Sequence, residues 1–194
     1  MDNNDKGDDI FLDRIKAISL ICEREIIKLS KEKREEILLN WWGIDHEDLE
    51  FSVLPETLRQ EMLESDEPTE NVMNSKYNPL LIEALKYEFI GVKNDYLSKI
   101  VSKIEGENIF VEGEQENLFA CPCCQYQTLK ERGRYIICPV CFWEDDGNND
   151  LTRYSSPNRM TLAEGRAKYI KYGVVTESAL AHIKPDIKER YYNI

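Results

Sequence analysis

Histidine is nearly absent from this sequence: only His46 and His182 occur, far apart, and each reads as a surface or packing residue. No GxSxG, HExxH or glycine-rich phosphate loop is present, so the usual hydrolase, metalloprotease and nucleotide-binding signatures are missing. No apolar run approaches the ~18–20 residues that cross a bilayer. The start, MDNNDKGDD, is acidic and lacks the basic and apolar regions of a secretory signal. These absences predict a soluble, cytoplasmic protein with no membrane association. In a reducing compartment, cysteines more often bind metal or do redox work than form structural disulfides. Internal repeats and low-complexity tracts are also missing. Positive charge is scarce: 25 Lys and Arg stand against 37 Asp and Glu, for a net charge of −12. Such a field repels a phosphate backbone and attracts a basic protein.

With 42% hydrophobic and 32% charged residues, the chain has globular composition, and 194 residues allow one core plus a small appended module. Residues 1–111 hold 14 basic and 25 acidic side chains, residues 112–150 hold 3 and 8, and residues 151–194 hold 8 and 4. Only the last segment is basic.

Helical spacing dominates the first half. Phe11, Ile15, Ile18, Cys22, Ile26 and Leu29 form one stripe, which makes Cys22 a buried small hydrophobe. Ser30 is placed to cap the next helix, which ends near Gly43, and Trp41 and Trp42 read as core first and partner anchors second. Pro55 opens a short helix to about Glu64. Asn78-Pro79 reads as a cap and first-turn proline before a helix stopping at Gly91. Asn94 starts another, ended by Gly106. From Asn108 the pattern turns to short β-branched or aromatic runs, NIFVEG and RYIIC, between turns. Helix signals return at the capping box Thr161 to Glu164, running to Gly173, and again at Thr176, with a break at Pro185. The predicted class is α+β: a helical region, residues 1–107, then a cysteine-rich β module with a short helical tail, residues 108–194.

Five of the six cysteines fall between residues 121 and 141. Cys121-x-x-Cys124 and Cys138-x-x-Cys141 are two CxxC pairs, thirteen residues apart. Each pair sets two sulfurs on one tight turn, and two such turns supply a tetrahedron of thiolates for Zn²⁺. The intervening residues read as a hairpin, with YQTL and RYII as strands. Thiol–disulfide chemistry fits less well, because there are two CxxC pairs and no βαβ pattern around either. Four thiolates close the coordination sphere, so the zinc is expected to be structural and the protein not an enzyme. Cys123 lies between the ligands of its own turn, and Cys124 is the better-spaced ligand; Cys123 is then a spare thiol. The run Glu144-Asp145-Asp146 after Phe142-Trp143 lacks the alternate oxygen ligands of a calcium loop. Trp143, Glu144, Asp145 and Asp146 are instead the candidate contact face for a basic partner.

CPCCQYQTLKERGRYIICPVCFWEDDG followed by SSPNRMTLAEGRAKY resembles the bacterial cysteine-rich CPCC family over roughly residues 118–172. The resemblance implies a zinc-ribbon-like fold and a bacterial cytoplasmic setting. Gln125 stands where that family usually has glycine. Small size, acidity and a structural metal together suggest protein–protein binding, most concretely an acidic immunity protein that neutralises a basic toxin. The alternative is nucleic-acid or regulatory binding through the tail, where Lys168, Lys171, Lys184, Lys188 and Arg190 accompany Tyr169, Tyr172, Tyr191 and Tyr192.

Overall fold

Asp13 decides where the first helix begins. Its side chain accepts from the Ile15 and Lys16 N–H groups at 2.9 and 3.2 Å, so helix α1 runs from Arg14 to Ile26. The preceding Ile-Phe-Leu is therefore extended: strand β1, Ile10–Asp13, pairs in parallel with β2, Ile109–Glu112. Phe11, expected in the helical stripe, lies in this strand. The computed structural model describes residues 10–194; the acidic start, residues 1–9, lies outside them.

Two units make up the chain: one of residues 1–90 and 97–113, the other of residues 91–96 and 114–194. The predicted boundary after residue 107 is thus moved. NIFVEG belongs to the N-terminal unit because its Ile109 and Val111 are buried partners of β1, not part of the cysteine module.

Between the strands of the N-terminal unit come α2 (Lys31–Trp41), α3 (Leu49–Ser52), α4 (Glu56–Glu64), α5 (Asn78–Lys86) and α6 (Asn94–Glu105). The first three residues of α6 fall to the other unit. Helix α5 packs on α1 and α2. Ile21, Cys22, Leu38, Leu80, Leu81, Leu97 and Val101 are buried in this unit. At ~25 cal/mol per Å², such burial is the main favourable term. Cys22 is buried within the stripe, where desolvation pushes its thiol up to about 12. Trp42 is buried and donates from Nε1 to the Ser65 carbonyl at 2.8 Å. Trp41 stands half-buried, edge-on to Tyr87.

Ser30 caps α2 and α4 starts at Glu56, as the sequence indicates. Asn78 does not cap. It lies inside α5 and accepts from the buried Arg34 at 2.8 Å, while Asn74 caps the 3-10 turn Ser75–Tyr77 that leads in. Arg34 also donates to the carbonyls of Val72 at 2.9 Å and Asn74 at 3.4 Å. A buried guanidinium demands such partners, and that demand overrides the local capping preference.

The C-terminal unit is built from very short strands: β3 (Phe119–Ala120), β4 (Gln127–Leu129), β5 (Tyr154–Ser155) and β6 (Met160–Thr161). Helix α7 (Leu162–Tyr172) opens with the predicted capping box and stops at Gly173, φ 81°. A 3-10 helix, Glu177–His182, and α8 (Ile187–Arg190) follow. The α+β class holds. Among the described residues, no helix is long and apolar enough to cross a membrane.

Candidate metal centre

Each CxxC pair sits at the tip of its own hairpin. In the first, β3 pairs antiparallel with β4, and the Cys121 N–H donates to the Tyr126 carbonyl at 2.8 Å. In the second, the N–H groups of Tyr135 and Cys138 donate to the carbonyls of Asp145 and Trp143 at 2.8 and 2.9 Å. The predicted hairpin of YQTL with RYII therefore does not form. Residues 135–138 pair with 143–145, because the chain must double back around the second CxxC to present both of its sulfurs.

The two turns repeat one geometry. Gln125 N–H donates to Cys121 O at 2.9 Å, and Phe142 N–H to Cys138 O at 2.8 Å. The donors, Gln125 and Phe142, both lie in the left-handed region, at φ 66° and 64°. That conformation usually costs a side-chain residue about 1 kcal/mol or more, so the surrounding structure must hold it. Gln125 repays part of this by donating from Nε2 to the Pro122 carbonyl at 3.1 Å.

All four sulfurs converge. The Sγ atoms of Cys121, Cys124, Cys138 and Cys141 lie within 4.8 Å of one another, and all four residues are buried. The Cys121–Cys141 and Cys124–Cys138 contacts are 3.6 Å each. A tetrahedron with metal–sulfur bonds of about 2.3 Å has sulfur–sulfur edges of about 3.8 Å, so the set fits one ion. No other group of three or more His, Cys, Asp or Glu side chains is placed to hold a metal among the described residues.

The sulfurs share protons unevenly. Burial opposes ionisation of Cys138, but hydrogen bonds from Cys121, Cys124, Cys141 and Thr128 outweigh it and hold that thiol well below its ordinary range. The Thr128 hydroxyl reaches Cys138 Sγ at 3.1 Å. Cys124 and Cys141 are raised, chiefly by their hydrogen bonds with Cys121.

Residues outside the cysteine run fasten the turns, and sequence reading missed them. Arg166 of α7 donates from Nε to the Pro122 carbonyl at 2.9 Å, and Asn193 from Nδ2 to Cys124 O at 3.1 Å. The Val175 N–H reaches Cys141 O at 2.9 Å. Only backbone oxygens are involved, so spacing gives no signal for these contacts. Gly165 leaves room for an indole: a Cβ there would stand 2.7 Å from a Trp143 ring carbon.

That indole corrects the predicted contact face. Trp143 and Asp145 have no exposed area. In the returning strand alternate side chains point inward, and Trp143 and Asp145 share the inner side. Asp145 accepts from the Gly133 N–H at 2.7 Å and from Arg132 Nε at 2.9 Å, as an internal brace. Glu144 and Asp146 remain half-buried, and the four residues do not form one surface. Cys123 is buried, near the position a Gly165 Cβ would take, at 3.7 Å from it. His182 is exposed beside Phe142, and His46 is edge-on to Phe51.

A family model described as cysteine-rich CPCC matches residues 119–189. This part of the chain is a cysteine-rich CPCC domain. The match runs further than the motif itself, taking in α7 with its Arg166 clamp and most of the tail. No curated protein and no solved structure matches the chain.

Proposed function

We propose that this chain is a non-enzymatic zinc protein that acts by binding another protein. In its most concrete form it is an acidic bacterial immunity protein that neutralises a basic toxin. The closure of the CPCC domain's sulfur cluster carries this reading. Four buried thiols that fit one ion leave no coordination position for water or substrate, so the zinc holds two hairpin tips together and does no chemistry. The donor set is all sulfur, which favours zinc over the hard cations that prefer oxygen.

The net charge of −12 supports a basic partner. Weighing against nucleic acid, three of the basic tail's cations are engaged within the tail itself. Arg190 is buried and paired with Asp186 at 3.0 Å, Lys188 lies over the Tyr169 ring, and Lys171 over Tyr172. Aromatic faces covered in this way are poor platforms for bases.

The test is native co-purification of the tagged chain from its own cells, with bound species identified by mass. One stoichiometric basic protein, whose toxicity the chain relieves, is the expected result. Recovery of nucleic acid instead, lost on nuclease treatment, would overturn it.

A further inference from the structure

Among the described residues, the two-stranded sheet of the N-terminal unit has one closed edge and one open edge. Ile109 and Val111 turn their N–H groups to the hydroxyls of Ser102 and Ser98, at 2.9 and 2.8 Å. The Ser102 hydroxyl also donates to the Ile109 carbonyl at 3.2 Å. These serines are one helical turn apart on α6, and they occupy the outer edge of β2 as a further strand would. Successive residues of a strand face opposite edges, so Phe110 and Glu112 are the residues that bond to β1. In a parallel ladder the residue opposite a bonded one turns its own groups away. Phe11, in register with Phe110, therefore presents its N–H and carbonyl to the outer edge of β1.

The side chains at that edge are of two kinds. Phe11 is 60% and Phe110 40% exposed, and their rings lie 5.8 Å apart. Two residues further along each strand, on the same face, stand the exposed Asp13 and Glu112. Asp13 uses one carboxylate oxygen to cap α1. Glu112 has no ion-pair partner among the described residues. In the sequence, Asp8 and Asp9 precede β1, while Glu107 and Glu114 flank β2. An aromatic pair beside a carboxylate suits a Lys or Arg side chain, whose cation lies over the rings. A second copy of this chain would bring the same negative charge to the edge, so self-pairing is disfavoured.

We propose that the open edge of β1 receives an extended segment of a basic partner protein, which adds as a third strand and sets a cationic side chain over Phe11 and Phe110 beside Glu112. The proposal rests on the protein-binding reading above and gives it a surface. Main-chain bonds to Phe11 supply the docking, and the ring pair with Glu112 supplies the preference for positive charge.

The test uses the full metal-loaded chain, isotopically labelled, with a short peptide of alternating valine and arginine. A matched peptide of valine and glutamate is the control. The arginine peptide should slow exchange of the Phe11 amide and shift the Phe110 ring signals, and the glutamate peptide should do neither. Phe11→Pro removes the outward N–H, and in this variant the arginine peptide should no longer shift the Phe110 ring signals. Glu112→Gln disturbs no bond of the fold and should weaken binding about fivefold. Absence of protection at Phe11 with the arginine peptide, or equal protection by both peptides, overturns the proposal. So does self-association that Phe11→Pro abolishes, since the edge would then belong to a second copy. If both variants keep a stoichiometric cellular partner, this surface falls while the protein-binding reading stands. If the Phe11 amide is protected but no protein co-purifies, the edge stands and the inhibitor reading falls.

Discussion

The two units of this chain are held together in different ways. In the N-terminal unit, α1, α2, α5 and α6 are nine to thirteen residues long and enclose leucine, isoleucine and valine. In the C-terminal unit the strands are two or three residues long, below what sustains a sheet by itself. Its buried residues include the group of sulfurs together with Leu129, Val140, Trp143 and Leu162. Apolar burial suffices where helices present whole faces. Where hairpins this short must meet at their tips, a cross-link takes over.

Removing the cross-link is the strongest way to break that contrast. Cys138→Ser, or a chelator of high affinity, should release the bound metal and unfold residues 119–145. Amides of α1 and α5 should remain protected. Structural zinc contributes on the order of 10 kcal/mol, more than a small module's own stability, so the loss should be complete rather than graded. Metal content by mass and exchange by residue provide the check. An unchanged metal content in Cys138→Ser would sink the four-cysteine site.

The converse variant is Leu81→Ala. Leu81 is wholly buried in α5, and the cavity should cost about 2–5 kcal/mol, read as a lower unfolding midpoint with metal content unchanged. Loss of metal from this variant would show that the units do not stand apart.

Acid sharpens the comparison further. In the N-terminal unit, Glu61 loses solvation, which alone would raise its pKa. Hydrogen bonds from Thr69, Lys76 and Tyr77 outweigh this and lower it from 4.5 to about 2. The folded value lies below the ordinary one, so this contribution is complete above about pH 4.5 and fades as the pH falls toward 2. Thiolate ligands compete with protons for their metal, so the C-terminal unit should fail first on acidification. A carboxyl titration by NMR should find Glu61 well below the ordinary glutamate range, and Glu61→Gln should flatten the acid limb of the N-terminal unit.

How legible each region was in the sequence follows from what holds it. The helical stripe around Cys22, the Ser30 cap and the Thr161 box could be read directly, because period and capping are local. The convergence of the four cysteines could be read from spacing alone. Strand partners could not: Ile10–Asp13 and Ile109–Glu112 are nearly a hundred residues apart, and neither run names the other. RYII was assigned to the wrong partner because propensity marks a strand without saying which edge it meets. Trp143 and Asp145 looked like surface beside a run of acids, yet an inward W-x-D alternation was already visible in FWEDD. What outranked the charge signal was the indole's fit against Gly165 and the demand of the Gly133 N–H and Arg132 for an acceptor.

The smallest effect tests whether a local device behaves alike in both units. Thr161 Oγ1 accepts from the Glu164 N–H at 3.2 Å, and a Glu164 carboxylate oxygen accepts from the Thr161 N–H at 2.7 Å. Ser30 Oγ makes the corresponding bond to the Lys33 N–H at 3.3 Å, without the reciprocal arm. Thr161→Ala and Ser30→Ala should each cost about 1 kcal/mol. The consequences should differ in place. Fraying the start of α7 loosens the turn that carries Gly165 and Arg166, so exchange should quicken at residues 162–166 and, through the Pro122 carbonyl, at the first CxxC turn. Fraying α2 should quicken residues 31–34 alone, since Leu38 and Arg34 hold the rest of that helix. Equal spreading in both variants would mean that the apolar unit is no more self-sufficient than the metal-centred one.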